Sequence, residues 1–587
     1  MMPPFRPLAE NFPPATEFDW RLLAGRSRGA SVDALRSLSI DGLTIGPIHA
    51  AGDGPVLGMR AAGAAWTCMQ RIDRSDGTLH GEVAEALRGG ATGVEFVFTS
   101  SPASRGRGID PDIDPVTLVS DTTVPLRIDA GEATPRLALN ALPGRGEVIA
   151  AYDPIATMAV RGGGRHPLED SAASIAALIE AMDQAGRGTA FIADGRPWSD
   201  GGASEVQELA LVLASAVANL RRLGETGVDP RRAVARLGVA LSADADQFLT
   251  IAKFRAVRLL FARLFEVAGL PGPRPRVHAE TAWRMLTLRE PVMNMVRSTT
   301  AAFAAAAGGA DSITVLPPFL DGGAFSDRMA RNTQTILGEE AAVYRAGDPG
   351  AGSGAIEALT NELAAAAWRQ FTQIEADGGL VAALEGGSIQ RAITAMRDAR
   401  LDRVARRAIA IIGVNVNIDR TAPIPAPLPP METESLDATL EPIRLSEPFE
   451  ALCAQSIMRD GGRQRVLLVD LRRAGGEDLS SVADAFAAGG FTVDVAGDEK
   501  TEAVRAFVRS GARIACILAG TDGSEEATAA ARALRSAGAR FLVAAGPFAT
   551  GAPEAPFDAT LSADTDVVAL LSDILDRIAE PDENGQS

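Results

Sequence analysis

Histidine, cysteine and tyrosine, whose side chains supply many metal ligands, nucleophiles and proton carriers, are scarce in this chain. The 587 residues include four histidines, three cysteines and two tyrosines. The cysteines, Cys68, Cys453 and Cys516, are too far apart in sequence to match a metal-binding or disulfide pattern. We therefore expect a reduced, cytoplasmic setting. No histidine follows His278, so the second half of the chain has no imidazole to offer a metal.

Long apolar runs are missing as well. The N-terminus, Met-Met-Pro-Pro-Phe-Arg-Pro, has no apolar signal core, and no run is long enough to span a bilayer. The formal net charge of -18 opposes binding to nucleic acids or to anionic membranes. We expect neither of them as a partner.

The length predicts two or three domains. Residues 1–60 are expected to form an N-terminal arm and helix, with Phe12-Pro13-Pro14 extended because proline disfavours helix. Residues 61–417 are expected to form a β/α barrel. A linker is predicted for residues 418–460, where five prolines between Thr421 and Pro430 prevent regular structure.

Strand and helix patterns alternate from about residue 65 onward. The clearest unit is the strand Arg276 to Thr281, the helix Val292 to Ala307 and the strand Ser312 to Leu316. This order predicts a parallel crossover, and about eight such units favour a closed barrel of the TIM type. Functional groups of such barrels lie at the C-terminal strand ends, which makes His278 and Glu280 candidates.

The C-terminal residues 461–587 also alternate short apolar strands with helices, so the whole chain is assigned to the α/β class. Strands are predicted at Val466 to Asp470, Thr492 to Val495, Ile514 to Ala519 and Phe541 to Ala545. The pattern is typical of a flavodoxin-like, doubly wound sheet that would bind a ligand at the C-terminal strand ends.

Several motifs occur in the order of a known family. They are His278-Ala279-Glu280-Thr281, Asn294 to Thr299, Ala330 to Gln334, Asp348 to Ser353 and Ile412 to Asn415. Together they resemble the acyl-CoA barrel of the methylmalonyl-CoA mutase family, and the C-terminal domain resembles that family's cobalamin-binding domain. The resemblance implies a complex that uses adenosylcobalamin to interconvert (R)-methylmalonyl-CoA and succinyl-CoA by a radical rearrangement.

Three positions depart from the pattern of the catalytic members. In the segment Trp66 to Arg71, Arg71 takes the place of a tyrosine beside the reacting carbons. Ser199 falls where a histidine would hydrogen-bond the thioester carbonyl. The loop Leu471 to Ser480 lacks the histidine of the Asp-x-His-x-x-Gly motif that ligates cobalt. We therefore expect a degenerate cobalamin-binding-type domain and no catalytic, cofactor-binding or metal-binding residue in this chain.

Some features of the family's site persist. By resemblance, Arg236 corresponds to an arginine that faces the acyl-CoA, and His278 to the histidine of the sixth strand. Glu280 replaces a glutamine and would place a negative charge against an anionic substrate. The alternative to ligand binding is internal pairing of His278 and Arg236, or pairing of either with Glu280, because an unpaired buried charge is costly.

The resemblance implies the smaller, non-catalytic subunit of a heterodimeric mutase. Adenosylcobalamin and the acyl-CoA substrate are expected in the larger catalytic subunit, around which a Phe-Pro-Pro arm such as Phe12-Pro13-Pro14 wraps in this family. Two alternatives stay open. One is a mutase that binds cobalamin without a protein histidine, and the other is a free-standing acyl-CoA-binding protein or chaperone.

Overall fold

The computed structural model describes the greater part of the chain: residues 13, 15–29, 31–52, 57, 59–74, 79–161, 168–270, 272–428, 440–460, 463–472, 479–496, 500–521, 523–549 and 556–579. Phe12 and Pro14 of the predicted arm, and Pro429 and Pro430 of the predicted linker, lie outside these residues.

The described N-terminal residues begin with helix α1 (Glu17–Arg28) and a short hairpin of β1 (Ser37–Leu38) and β2 (Thr44–Ile45). A capping box between Thr16 and Asp19 starts α1. None of the described side chains of α1 is buried, and Phe18, Leu22 and Leu23 are exposed. Helix α1 therefore has no apolar face packed against the rest of the described chain.

The eight strands that follow form a parallel sheet around one axis. They are β3 (Thr67–Ile72), β4 (Gly93–Val97), β5 (Leu126–Asp129), β6 (Val148–Ala150), β7 (Phe191–Asp194), β8 (Leu237–Ala243), β9 (Arg276–Thr281) and β10 (Ser312–Thr314). Their order is β6-β5-β4-β3-β10-β9-β8-β7, and a bridge between Ile149 and Thr189 joins the two ends. The predicted barrel and the parallel pairing of β9 with β10 are confirmed.

Helices cover the outside of this barrel. They are α2 (Leu79–Arg88), α3 (Thr134–Ala141), α4 (Pro154–Arg161), α5 (Leu168–Ala185), α7 (Glu205–Glu225), α8 (Pro230–Ala235), α9 (Gln247–Val267), α10 (Pro291–Ala307), α11 (Ala324–Thr335), α12 (Gly354–Ala376), α13 (Leu380–Glu385) and α14 (Ser388–Ala405). Their apolar faces join the outward side chains of the strands in one large core. The short helix α6 (Arg196–Asp200) follows β7 and is fully buried at the C-terminal end of the barrel. The barrel interior is left to the inward side chains, which determine the candidate site.

A second parallel sheet forms the C-terminal domain. Its strands are β11 (Arg465–Asp470), β12 (Thr492–Ala496), β13 (Ile514–Leu518), β14 (Phe541–Ala545) and β15 (Ala559–Leu561), in the order β12-β11-β13-β14-β15. This is the flavodoxin order, so the predicted fold is confirmed. The strand β15 was not predicted. Alternate residues of β11, β13 and β14 belong to two apolar clusters on opposite faces of the sheet.

The C-terminal domain is completed by α16 (Leu479–Ala488), α17 (Lys500–Ser510), α18 (Ser524–Ser536) and α19 (Val567–Ala579), and is preceded by α15 (Glu447–Asp460). Helix α15 occupies the last part of the predicted linker, whereas residues 421–428 contain neither helix nor strand. The guanidinium of Arg289 donates to the carbonyl oxygens of Ala487 (3.0 Å) and Ala488 (3.3 Å). Since these carbonyls end α16, a positive charge there is favourable and connects the two domains.

Candidate functional site

Four strands of the barrel place buried carboxylates inside it, with one guanidinium among them. Glu95, Asp129, Asp194 and Glu280 come from β4, β5, β7 and β9. Arg196, two residues after β7, is fully buried and has Nη2 at 2.7 Å from an oxygen of both Asp129 and Asp194. Its Nη1 lies 3.5 Å from Glu95 and from Glu280. The axis where a substrate would enter is therefore occupied by an arginine side chain.

Glu280 contacts two further arginines. Nη1 of Arg71 lies 3.1 Å from its Oε2, and Nη2 of Arg105 lies 2.5 Å from its Oε1. Arg71 also pairs with Asp73 at 2.8 Å, and Arg105 with Asp200 at 2.7 Å. Each of these side chains is less than 10% exposed. The negative charge expected of Glu280 is thus compensated within the chain rather than directed at a ligand.

These groups form one continuous network, which we call the buried ionic cluster. Arg127 joins it through Nε, which donates to Glu95 at 2.9 Å. Its members are Arg71, Asp73, Glu95, Arg105, Arg127, Asp129, Asp194, Arg196, Asp200 and Glu280. Burial favours neutral forms, so ionised side chains persist in such a place only when they are paired.

The pKa values of the carboxyl groups follow from this pairing. Burial raises the pKa of Glu280, but Arg105, Arg196 and Arg71 outweigh burial and bring it down to about 2. The pKa of Glu95 is also lowered, because Arg127 and Arg196 outweigh its burial. Glu280 and Glu95 are therefore ionised at neutral pH.

Two other carboxyl groups of the cluster shift in the opposite direction. Burial raises the pKa of Asp129 and of Asp200, despite the nearby Arg196 and Arg105. The cluster has six carboxyl groups and four guanidiniums, and Arg107 pairs with Asp73 at 3.0 Å from the edge. Proton uptake by Asp129 or Asp200 would bring the cluster closer to neutrality.

His278 lies beside this cluster. Its Nδ1 is 2.9 Å from the hydroxyl of Ser312, and its Nε2 is 3.9 Å from Glu95. Burial, followed by the charges of Arg127 and Arg196, lowers the pKa of His278 well below its usual value. His278 is therefore a neutral, internal side chain, and the hydrogen bond to Ser312 is the internal pairing that the structure provides.

The mouth of the barrel is closed above the cluster by an aromatic ring between two arginines. The Trp283 ring has the guanidinium of Arg105 at 5.7 Å and that of Arg444 at 5.8 Å from its centroid. Arg444 in turn pairs with Glu450 of α15 at 2.7 Å. A column of alternating charged and aromatic groups thus runs from Glu280 inside the barrel to the helix that precedes the C-terminal domain.

The residues 440–446, which we call the mouth segment, hold this column in place. The amide of Ile443 donates to the carbonyl of Asp200, and that of Leu445 to the carbonyl of Arg284, each at 2.9 Å. The cavity that the described residues leave beside Arg71 and Trp283 has a volume of about 20 Å³. Ligand pockets usually measure about 300–1,000 Å³, and a water needs about 10–15 Å³. This cavity has room for about one water and none for a thioester.

Ser199 and Arg236, two candidates from the family resemblance, lie at opposite ends of the barrel. Ser199 lies near the mouth, is fully buried and has no hydrogen-bond partner for its hydroxyl. Arg236 does not face the candidate site, and its proposed pairing with His278 or Glu280 is wrong. It directly precedes β8, so it lies at the opposite, N-terminal rim of the barrel, where Nε pairs with Asp183 at 2.8 Å.

Sequence reasoning missed Glu95, Arg105, Arg127 and Arg196 as members of the site. For Glu95 and Arg127 a signal was available, because Glu95 is the one charged residue of β4 and Arg127 lies between two apolar residues of the buried strand β5. Arg105 lies in a loop and Arg196 begins the short helix α6, both beyond strand ends, where a charged residue is ordinary. Nothing in the sequence indicates that these segments direct their arginines into the barrel.

The corresponding strand end of the C-terminal domain does not fit an imidazole-ligated corrinoid. Asp470, the last residue of β11, is bound by its neighbour Arg472, whose Nε lies 2.8 Å from Oδ1. The Arg472 side chain lowers the pKa of Asp470. This carboxylate already holds a guanidinium, and no histidine follows His278 that it could orient toward cobalt. Residues 473–478 of the loop lie outside the described residues.

Within the described ranges, no group of three or more His, Cys, Asp or Glu residues is arranged to hold a metal ion. The same part of the chain has no helix that is long and apolar enough to cross a membrane. The three cysteines are buried and none of them forms a disulfide bond, and burial raises the pKa of Cys68 to about 12.

Comparisons with known proteins agree with the fold and the motifs. Residues 145–489 match the family model described as methylmalonyl-CoA mutase. The chain is 36% identical to a methylmalonyl-CoA mutase small subunit of Streptomyces virginiae, over 97% of this chain and 98% of the relative. It is 34% identical to a small subunit of Propionibacterium freudenreichii over 65% of this chain and 62% of the relative, and 33% identical to a methylmalonyl-CoA mutase of Rhizobium meliloti over 43% and 36%. The chain therefore belongs to the methylmalonyl-CoA mutase family.

Proposed function

We propose that this chain is the non-catalytic small subunit of a heterodimeric, adenosylcobalamin-dependent methylmalonyl-CoA mutase in the cytoplasm. The larger catalytic subunit binds the coenzyme and the acyl-CoA, and the complex interconverts (R)-methylmalonyl-CoA and succinyl-CoA. The relatives that cover most of this chain are named small subunits, which supports a role within a complex.

The observation that carries the proposal is the filled barrel. Arg196 occupies the axis among four carboxylates, and Trp283 with the mouth segment closes the entrance. An acyl-CoA would have to displace paired, buried charges, and breaking such pairs costs about 3–5 kcal/mol each. The filling of the barrel by the described residues therefore supports a chain that does not itself carry out the chemistry of the family.

The uncovered helix α1 supports a role in binding a partner chain. It has 12 residues, and an isolated helix of this length is only marginally stable in water. Its side chains Phe18, Leu22 and Leu23 are 73%, 43% and 64% exposed. Burial against the larger subunit would remove these apolar side chains from water and hold the N-terminal arm in place.

The proposal is tested with the full chain alone and after co-expression with a family member that carries Asp-x-His-x-x-Gly. The chain alone should show no shift in the cobalamin absorbance spectrum, no calorimetric binding of methylmalonyl-CoA and no isomerisation. The co-expressed pair should elute as one complex in size-exclusion chromatography and be active.

A variant of the cluster separates a supporting role from a catalytic one. Glu280→Gln in this chain should lower the thermal stability of the complex while its KM for methylmalonyl-CoA stays unchanged. Corrinoid binding or turnover by the chain alone would refute the proposal, as would a KM that changes with Glu280→Gln.

A further inference from the structure

A separate cavity of about 430 Å³ lies outside the barrel, between α9 and the strands β8 and β9. Its apolar wall consists of Val239, Val257, Phe261, Phe265 and Val277. The volume lies in the range of small-molecule sites, about 300–1,000 Å³. This cavity, which we call the outer slot, is distinct from the closed barrel mouth and serves no step of the proposed function.

The outer slot is elongated along α9. Lining residues occur from Val257 to Glu266 on one stripe of that helix, a length of about 14 Å at 1.5 Å per residue. Phe261 and Phe265 stack edge to face at 5.8 Å and form its side wall. A slot of this length and volume fits an extended alkyl chain of about ten carbons better than a compact ring system.

The polar groups of the slot are mainly hydrogen-bond donors. Arg258 is 8% exposed, and its two Nη atoms donate to the carbonyl oxygens of Pro275 (2.6 Å) and Gly309 (2.9 Å), while Nη2 also pairs with the carboxylate of Asp311 at 2.8 Å. Its Nε has no hydrogen-bond partner. A buried donor without an acceptor is costly, so a ligand that brings an acceptor to this position gains free energy.

The remaining charges of the slot favour an anionic head group. Arg274 is a second guanidinium in the lining. Glu266 is the one carboxylate among the described lining residues, and it pairs with Arg263 at 2.8 Å. A carboxylate is therefore a better match for these side chains than an ammonium group.

We propose that the outer slot binds a medium-chain fatty carboxylate. The alkyl chain lies along the aromatic and valine wall, and the carboxylate accepts from the guanidiniums of the lining. This inference is independent of the proposed function, because it needs neither a partner subunit nor a cofactor.

Isothermal titration calorimetry with decanoate, decanol and decylamine tests the proposal on the full chain. Decanoate should bind one to one and at least tenfold more tightly than decylamine, with decanol between them. Equal affinities for decanoate and decylamine, or no saturable heat with decanoate, would overturn it.

A pair of tryptophan substitutions on α9 localises the binding. Ala262 lines the slot at its exposed rim, so Ala262→Trp should fill the space and weaken decanoate binding at least tenfold. Val267, at the end of the same helix, is 60% exposed and does not line the slot, so Val267→Trp should change the affinity less than twofold. Circular dichroism confirms that both variants fold. Unchanged binding in Ala262→Trp would place the ligand elsewhere and refute the assignment.

Discussion

Replacing Arg196 by methionine tests whether the buried ionic cluster holds the barrel together. The substitution keeps most of the side-chain volume but removes the cation that Asp129 and Asp194 contact at 2.7 Å. Removing one partner from a buried ion pair leaves an uncompensated charge and costs about 3–5 kcal/mol. Because domains are stable by only about 5–15 kcal/mol in total, Arg196→Met should cost the barrel a large share of its free energy of unfolding.

The assay is urea unfolding followed by tryptophan fluorescence. All five tryptophans precede residue 369, so the signal reports the N-terminal part of the chain and not the C-terminal domain. A matched control is Arg232→Met, because Arg232 also contacts two carboxylates, those of Glu180 and Asp183, at 2.6 and 2.7 Å, but is 43% exposed. Solvent screens that exposed pair, so the control should change the midpoint far less.

Low pH provides a second check on the same variant. Without Arg196 the remaining carboxylates are harder to ionise, so their folded-state pKa values rise. The difference in free energy of unfolding between wild type and Arg196→Met should therefore be largest at neutral pH. It should become smaller as the pH falls and these groups take up protons. Equal urea midpoints of Arg196→Met and Arg232→Met at neutral pH would show that the buried ionic cluster does not stabilise the barrel.

Three further changes probe other parts of the site. Glu280→Gln should lower the free energy of unfolding by about 3–5 kcal/mol at neutral pH. Because the folded-state pKa of Glu280 is lowered to about 2, the difference in urea midpoint between wild type and variant should become smaller as the pH falls below the ordinary pKa of 4.5. His278 is held neutral in the folded state, so it takes up a proton on unfolding below its ordinary pKa of 6.5. Between about pH 7.5 and about pH 5.5 the free energy of unfolding of wild type should therefore fall by about 1.4 kcal/mol more than that of His278→Gln. An equal fall in both would contradict a neutral His278. Arg444→Met should speed hydrogen exchange at the amides of Ile443 and Leu445, measured by mass spectrometry; unchanged exchange would mean that the Trp283 stack does not hold the mouth segment.

Most of the fold could be predicted from the sequence because its local patterns agree with the final structure. The unit from Arg276 to Leu316 predicts two parallel neighbours joined by one helix, and β9, α10 and β10 have this arrangement. The short strand β15 was missed because Ala559–Leu561 has three residues and no distinctive apolar pattern. Helix α15 was missed because the prolines of residues 421–430 dominated the interpretation of the region before it.

The contents of the site were harder to predict than the fold. The departures from the resembled motifs at Arg71 and Ser199 and in the Leu471 to Ser480 loop can be seen in the sequence alone. What takes the place of the missing groups depends on contacts between residues far apart in the chain. Arg105 and Glu280, for example, are 175 positions apart and share a hydrogen bond. No periodicity or local propensity carries that information, since such contacts are fixed by the closure of the barrel.

The polar interior is not what stability alone would favour. Barrels of this type are commonly filled by valine, isoleucine and leucine, and apolar residues in place of a buried ion network are often neutral or stabilising by about 1–4 kcal/mol. The cluster instead occupies the C-terminal part of the barrel interior, and each of its carboxylates contacts at least one arginine. Arg71 shows this most directly, since it pairs with Glu280, and the family resemblance predicts a tyrosine at the first of these positions and a glutamine at the second. Either side chain alone would leave a buried charge unpaired, whereas the two together compensate each other, so Arg71 and Glu280 are compatible with the closed barrel only as a pair.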